Sequence, residues 1–276
     1  MEQAAMNQRN RVIAFGIVFA VLIVIAVFSS RIFPDSNRLN MDQTLSPPDL
    51  VHFFGTDNLG RDLLSRTFNG LRVSLALALI IQLISLAVGT VIGSIAGYFG
   101  GITDRIYIVI QNVLMSFPGI IAALCLIAML GSGIRTLIIA LSLLGWVIYA
   151  RLIRSEVFAL KGYDYIMGAR AIGASNFYIL YRHILPNVIR PAIPMFTLMI
   201  GHTVLAISGL SFLGFGVQPP TAEIGMMIKD GITYITRAPW MIIFPGALLS
   251  VYVLCVNILG DELQVWFDPR KEMAIL

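Results

Sequence analysis

Long apolar blocks along the chain are separated by shorter segments that contain the charged residues. Six runs contain no Asp, Glu, Lys or Arg, namely residues 12–30, 73–98, 106–134, 136–150, 191–222 and 239–260. A helix needs about 20 apolar residues to cross the hydrocarbon core of a bilayer, and a charge at its centre costs about 3 kcal/mol on the insertion scale. The pattern therefore predicts an all-α integral membrane protein with six transmembrane helices.

Two of the runs are unusual. The run 12–30 resembles a secretory signal, but it is long for a signal and no small-x-small cleavage site precedes Arg31, so we expect a retained span. The run 136–150 is short, and we expect it to borrow residues at its ends, with Arg135 or Arg151 extending toward the interface.

Composition supports the membrane assignment. Hydrophobic residues make up 58% of the 276 residues and charged residues 12%, far from the values of a soluble domain. The segment 151–190 carries six basic and two acidic residues, a net charge of +4, which predicts a cytoplasmic location. An even number of spans then places both termini in the cytoplasm.

The segment 151–190 contains the most distinctive polar pattern. Asp164 is expected to cap a helix that ends at Gly173, and Ser175 to cap a second helix that Pro186 stops. The second helix is expected to present one apolar face, made of Phe177, Leu180, Tyr181 and Ile184. The first helix has little side-chain bulk, with small residues at Gly168, Ala169, Ala171, Gly173 and Ala174. Such a helix could lie close inside a groove of another protein.

These residues resemble the "EAA" coupling loop of bacterial ABC-importer permeases, and residues 151–190 are called the coupling loop below. The matches are Ala169, Gly173, Leu185 and Pro186, together with the peptide and nickel branch's pairs Arg170-Ala171, Ala174-Ser175 and Arg182-His183. Met167, Gly168 and His183 depart from the common Glu, Ala and Ile. The resemblance implies that Asp164, Met167, Gly168, Ala169, Arg170, Gly173, Ala174, His183, Leu185 and Pro186 couple the permease to an ATPase.

Other strings resemble the C-type permease of dipeptide, oligopeptide and nickel importers. They are HFFGTDNLGRD at residues 52–62, SFLGFGVQPP at 211–220, NILGDEL at 257–263 and DPR at 268–270. The resemblance implies the type I importer fold, with residues 1–72 holding the N-terminal tail, first span and extracytoplasmic segment. Residues 73–276 would form the permease core of five helices. Implied partners are a second, homologous permease, two cytoplasmic ATP-binding subunits and an extracytoplasmic substrate-binding protein, with the complex in the bacterial inner membrane.

Two further patterns predict packing. Asp57, Arg61 and Asp62 are close enough for a local ion-pair and capping cluster, for which a structural role is favoured over substrate binding. His52 beside them is a poor metal ligand, because no second His, Cys or Met accompanies it. In the second span, a small residue at every fourth position, Ser85, Gly89, Gly93 and Gly97, predicts close approach of another helix.

Polar residues inside the spans are candidates for a translocation path. Asn112, Met115 and Ser116 precede Pro118, which is expected to kink the third span, and His202 and Thr203 lie in the fifth. For Asn112, hydrogen bonding between helices and lining a path are both open. The same two alternatives stay open for His202, the one candidate metal ligand.

The catalytic motifs of energy-converting enzymes are missing from the sequence. None of the three Lys lies in a G-K-[ST] motif, so we expect no ATP site, no cofactor and no enzymatic activity in this chain, with ATP and Mg²⁺ bound by partner subunits. A secondary transporter would need a coupling carboxylate inside a span, and none of the six runs has one. An intramembrane enzyme would need catalytic groups clustered at one depth, and the sequence lacks these as well.

The resemblance leaves the substrate open between two classes. Gly201 and His202 look like nickel permeases, and Ile207 stands where many peptide permeases have Glu. We therefore expect half of the translocation pathway for nickel or a metal chelate, with import of dipeptides or oligopeptides as the alternative.

Overall fold

A computed structural model of the chain describes residues 2–33 and 35–266. Within them the chain is helical apart from loops and one isolated bridge between Thr56 and Asp62. The helices are α1 (Glu2–Ile32), α2 (Leu63–Phe99), α3 (Gly101–Met115), α4 (Gly119–Leu130), α5 (Ile134–Leu160), α6 (Asp164–Ala171), α7 (Asn176–Tyr178), α8 (Leu185–Val188), α9 (Ala192–Phe212), α10 (Ile224–Ile232) and α11 (Trp240–Trp266). A 3-10 turn covers Met41–Gln43, and a π-helical turn covers Ile179–Ile184. The DPR string at 268–270 lies outside the described residues.

The predicted membrane-spanning fold is confirmed, with one span broken. Five helices are long and apolar enough to cross a bilayer, and α3 with α4 makes a sixth candidate bent by 85°. The break falls at residues 116–118, where Pro118 has no backbone N–H to continue the ladder. The kink expected at Pro118 is therefore a sharp break between two helices.

Two spans extend beyond their apolar runs. α2 begins at Leu63, ten residues before the run 73–98, because the Asp62 carboxylate accepts a hydrogen bond of 2.8 Å from the Ser65 backbone N–H and caps the helix. α5 continues past Arg151 to Leu160, so the first ten residues of the coupling loop are helical. The ends of charge-free runs therefore did not mark the helix ends.

The small-residue ridge of α2 is confirmed, and its partner is α5. A Cβ atom at Gly89 would lie 2.6 Å from the Trp146 carbonyl oxygen, and one at Gly93 would lie 2.5 Å from that of Ala150. Without Cβ atoms at these positions the two backbones approach to contact distance, which allows close van der Waals packing in lipid.

The main core lies where four spans meet. Leu71 of α2, Leu137 of α5, Ile207 of α9 and Tyr252 of α11 are each fully buried there. α1 covers one side of this core, with the Phe19 ring 5.9 Å from that of Tyr252. Burial explains why Ile207 suits its position in this chain.

The segment between α9 and α11 contains the helix α10. Its N-cap is Glu223, which is fully buried and accepts a hydrogen bond of 3.0 Å from the Met226 backbone N–H. The same carboxylate accepts from the hydroxyls of Ser74 at 3.1 Å and Ser208 at 2.8 Å. One side chain thus ties α10 to α2 and α9.

The ion-pair cluster predicted near residue 60 is confirmed. The Asp57 carboxylate lies 2.6 Å from Nε of Arg61 and 3.3 Å from Nε of Arg66, and all three residues are buried. Gly55 and Gly60 have φ values of +73° and +69° in the turns around it. Burial raises the pKa of the Asp230 carboxyl in α10, while Arg61 and Arg66 oppose that rise.

His52 belongs to the same end of the bundle. Its Nδ1 lies 2.9 Å from the Asp62 carboxylate and its Nε2 lies 3.0 Å from the side-chain oxygen of Gln43. Two backbone N–H groups, of His52 and Val51, lower the pKa of the nearby Asp49 carboxyl. Both ring nitrogens of His52 therefore take part in contacts that hold the loop together.

Candidate functional site

The first of the two helices predicted for the coupling loop is α6, and it begins one residue earlier than a cap at Asp164 would give. The N-cap is Tyr163, while Asp164 is the first helical residue and its side chain makes no capping hydrogen bond. A carboxylate in the first turn is still favourable, because it faces the positive end of the helix dipole. The predicted end is confirmed, since Gly173 follows with φ +86°.

α6 is anchored by one side chain and leaves its small residues uncovered. Ile166 is fully buried against Ile153, Ile179 and Ile184. A Cβ atom at Gly168 or at Gly173 would meet no atom within 4 Å. Of the predicted coupling residues, Asp164, Met167, Gly168, Arg170, Gly173 and Pro186 are exposed, and Ala169, Ala174, His183 and Leu185 are half-buried. The structure thus presents α6 as an open surface of small residues.

The second helix of the coupling loop differs from the expectation in two ways. Ser175 does cap it, accepting a hydrogen bond from the Tyr178 backbone N–H. Pro186 does not stop it, because a π-helical turn precedes Pro186 and α8 continues to Val188. A π turn supplies i→i+5 bonds, here from the Leu185 N–H to the Leu180 carbonyl.

The π turn also changes which face is buried. The predicted apolar face is wrong in part, because Phe177 is 80% and Tyr181 is 65% exposed. The fully buried residues are Ile179, Ile184 and Val188, whose spacing of five and then four follows the wider turn.

Tyr98, at the end of α2, connects that span to the coupling loop. Its hydroxyl donates a hydrogen bond of 2.9 Å to the side-chain oxygen of Asn176 and accepts one of 3.3 Å from the Arg170 guanidinium. The guanidinium carbon also lies 5.6 Å from the centre of the Tyr98 ring. Sequence reasoning missed Tyr98, although it is the last residue of the run 73–98.

Two more contacts brace this end of the bundle. The Arg154 guanidinium donates to both carboxylate oxygens of Asp104, with 2.7 Å for the Nη2 contact. The Lys161 ammonium donates a hydrogen bond of 3.2 Å to the Gly97 carbonyl. α5 is therefore tied to the ends of both α2 and α3 beside the coupling loop.

The predicted path residues fall into separate places. Asn112, Met115 and Ser116 lie together, exposed, where α3 breaks from α4. His202 is exposed on α9, and neither its side chain nor that of Asn112 makes a hydrogen bond in the described part of the chain. At the break, a guanidinium nitrogen of Arg151 contacts the Met115 sulfur. Arg151 was not among the path residues predicted from the sequence.

Thr203 belongs to a buried network that joins three spans. The Tyr149 hydroxyl donates to the Gln82 side-chain oxygen at 2.7 Å, and the Gln82 amide donates to the Thr203 hydroxyl at 2.5 Å. All three side chains are buried, so Thr203 serves interhelical packing in this chain. The signal available in the sequence was Gln82, an amide inside an apolar run.

Of the two residues of α9 that resemble nickel permeases, Gly201 and His202, the first is explained by packing. A Cβ atom at Gly201 would lie 2.7 Å from Cγ1 of Val256, so the glycine lets α9 approach α11. Among the described residues, His, Cys, Asp and Glu form no group of three or more that could hold a metal ion.

The fold and this site define a class of protein: a helical membrane protein with a short exposed helix, α6, between two of its spans. The chain matches the family described as "Binding-protein-dependent transport system inner membrane component" over residues 89–273, and it belongs to that family. Within it the chain is an ABC-importer permease of the dipeptide, oligopeptide and nickel branch. Permeases of this family work with a further permease, ATP-binding subunits and a substrate-binding protein.

Several relatives are known by name. The glutathione transport system permease protein GsiD of Pectobacterium atrosepticum is 37% identical over 94% of this chain and 86% of its own length. The protein of the same name from Escherichia coli is 41% identical over 91% of this chain and 83% of its own length. Both are transport permeases, so the relatives place this chain among transport proteins of the membrane.

A solved structure shares the fold. The inward-facing MetNI methionine ABC transporter aligns with a TM-score of 0.57 and 20% identity, covering 74% of this chain and 96% of that chain. At this identity the likeness concerns the fold alone.

Proposed function

We propose that this chain forms half of the translocation pathway of an ATP-driven importer for small peptide-like solutes, glutathione among them. The observation that carries the proposal is the 41% identity, over most of both chains, to a relative named for glutathione transport. This favours the peptide alternative over nickel. The isolation of His202 points the same way, because a single imidazole is a weak site for a metal ion.

In the proposed mechanism, α6 docks in a groove of an ATP-binding subunit, which holds ATP and Mg²⁺. The exposed Gly168 and Gly173 allow close approach of the ATPase, and buried Ile166 fixes α6 to the permease. Movement of the docked loop is passed to α2 through Tyr98, and Lys161 at the end of α5 links that helix to α2 through the Gly97 carbonyl. ATP-driven closure of the ATPases thereby shifts the spans between inward- and outward-facing states.

The proposed orientation follows from charge. The net charge of +4 on the coupling loop places that end of the bundle in the cytoplasm, together with both termini. The cluster of Asp57, Arg61 and Arg66 then lies on the extracytoplasmic side, where the substrate-binding protein docks. Cysteine labelling of an exposed residue at each end, such as Met41 and Phe177, tests this directly with a membrane-impermeant reagent.

Uptake of labelled glutathione, a labelled dipeptide and labelled nickel tests the substrate. Cells lacking the gene are compared with cells in which it is restored. Gene-dependent uptake of glutathione or the dipeptide supports the proposal. Gene-dependent uptake of nickel alone contradicts it and makes His202 the first residue to substitute.

The docking step has its own test, Gly168→Leu. A side chain at Gly168 meets nothing inside this chain, so the variant should fold and reach the membrane. We expect purification in detergent to lose the ATP-binding subunits and uptake to fall at least tenfold. Gly246→Leu, in α11 and equally free of neighbours, is the matched control. Undiminished copurification in Gly168→Leu rules out docking through this face.

A further inference from the structure

Arg151 of α5 is a cation without a charged partner among the described residues. Its guanidinium contacts the sulfur of Met115, and within the described residues it takes part in no ion pair. A thioether is a weak hydrogen-bond acceptor and Arg151 is exposed, so most of its five N–H donors have no partner within the described residues. Arg154, one turn further along the same helix, is instead paired with Asp104 through two hydrogen bonds.

Arg151 lies at the break between α3 and α4. α3 ends at Met115 and α4 begins at Gly119, with an angle of 85° between them. Helices that break at membrane depth are tolerated where the freed backbone lines an aqueous cavity or packs against protein. Asn112 and Ser116 are exposed at this break, so it presents polar groups beside the cation.

Arg151 lies far along α5 from Arg135, the other cation of that helix that has no ion pair among the described residues. Arg135 is in the first turn and Arg151 is 16 residues later, about 24 Å along the axis at 1.5 Å per residue. Arg135 is exposed at the helix end, whereas Arg151 is directed at the broken span. An exposed guanidinium that has no ion pair among the described residues and lies beside the broken span is a candidate for function.

We propose that Arg151 binds a free carboxylate of the transported solute as the solute passes the break. The inference rests on the proposed function, because glutathione carries two carboxylates and one ammonium group and so has a net charge of −1. The planar fork of a guanidinium matches a carboxylate with two parallel hydrogen bonds. The exposed Asn112 amide offers a neutral donor beside it, while the Ser116 hydroxyl, which donates to the Val113 carbonyl, offers only acceptor lone pairs for the solute's ammonium or N–H groups.

A lipid phosphate is the other oxyanion that a guanidinium near an interface attracts. The two sources respond differently to the solute. A carboxylate contact makes transport sensitive to removal of the solute's charge, while a contact with lipid affects all solutes alike. The ratio between uptake of the free acid and uptake of its amide therefore separates them.

The experiment measures uptake of labelled glutathione and of its two monoamides, at the glycine and at the γ-glutamyl α-carboxyl group. Cells carry the full importer with the wild-type chain, Arg151→Gln, Arg151→Lys or the control Arg135→Gln. The substrate-binding protein is the same in every strain, so its preference cancels when ratios are compared. We expect Arg151→Gln to lower the ratio of glutathione uptake to uptake of one of the monoamides about tenfold. Arg151→Lys should restore part of this ratio, and Arg135→Gln should leave it unchanged.

Equal loss of acid and both amides in Arg151→Gln, measured at matched amounts of chain in the membrane, overturns the proposal in favour of a lipid or packing role. Unchanged uptake of all three overturns it as well. Failure of the wild-type importer to take up glutathione or either amide contradicts the proposed function itself, and the inference falls with it.

Discussion

The hydroxyl of Tyr98 lies 2.9 Å from the side-chain oxygen of Asn176, and this contact joins residues 78 positions apart. One end of it is the last turn of the longest span, and the other follows the coupling helix. The chain itself joins the coupling loop to α5 and α9, so a displacement of the loop reaches α2 through this buried aromatic side chain.

Tyr98→Phe should weaken coupling while keeping the fold. The substitution removes the bonds to Asn176 and Arg170, each worth about 1 kcal/mol, and keeps the ring under the Arg170 guanidinium. We expect a severalfold fall in solute imported per ATP hydrolysed by the reconstituted complex. Tyr107→Phe, which loses a hydrogen bond to Gln111 within one helix, is the control. Equal ratios in the two variants would disprove a coupling role for Tyr98.

Gly173→Val should abolish uptake while the chain remains in the membrane. A β-branched residue at φ +86° is strained by at least about 1–2 kcal/mol, so α6 would lose its end and shift on its anchor. Gly173→Asn distinguishes the effect of backbone strain from that of side-chain bulk, because Asn tolerates this backbone conformation. We expect uptake to be higher in Asn than in Val at equal membrane levels. Full activity of Gly173→Val would refute the docking arrangement.

Gly93→Leu should separate α2 from α5. The Cβ atom alone would lie 2.5 Å from the Ala150 carbonyl oxygen, so the backbones must move apart at a cost of about 1–3 kcal/mol or more. We expect the melting temperature in detergent to fall by several degrees. Gly246→Leu, in α11 with no atom within 4 Å of its Cβ position, should melt close to wild type. Similar falls in melting temperature in both variants would mean that the small-residue ridge of α2 contributes no particular stability.

Asp57→Asn should destabilise the end of the bundle near the first loop. The change leaves the buried guanidinium groups of Arg61 and Arg66 without their shared carboxylate, which typically costs about 3–5 kcal/mol. Proteolysis of the 35–62 loop in membranes should accelerate at least tenfold. Asp42→Asn, at an exposed position, is the control and should leave the rate unchanged. An unaltered rate in Asp57→Asn would place the loop's stability elsewhere.

Glu223→Ala should free α10 from its neighbours. It leaves the hydroxyls of Ser74 and Ser208 and the Met226 N–H without their acceptor in a buried site, at about 1–3 kcal/mol for each unsatisfied group. Glu223→Gln keeps one acceptor oxygen and should lose less. The order wild type, Gln, Ala in melting temperature checks this, and a reversed order of the two variants contradicts it.

The sequence determined the features that depend on composition and short spacing. The spans follow from apolar runs, because lipid excludes charge, and the cluster around Asp57 follows from residues within a few positions of one another. The positive φ of Gly173 and the cap at Ser175 were readable for the same reason, since both are local. The small residues of α2 predicted a close helix contact but did not identify α5 as the partner.

Tertiary structure decided what depends on distant residues or on competition between similar backbones. The network of Gln82, Tyr149 and Thr203 joins positions 67 and 121 residues apart, and no local pattern encodes such pairing. The π turn before Pro186 differs from an α turn by one residue of register, and the packing of Ile179 and Ile184 against α5 and α6 accompanies it. Arg151 is likewise an ordinary interfacial cation in sequence. Its place beside the break exists because α3 and α5 fold against each other, which brings Met115 to its guanidinium.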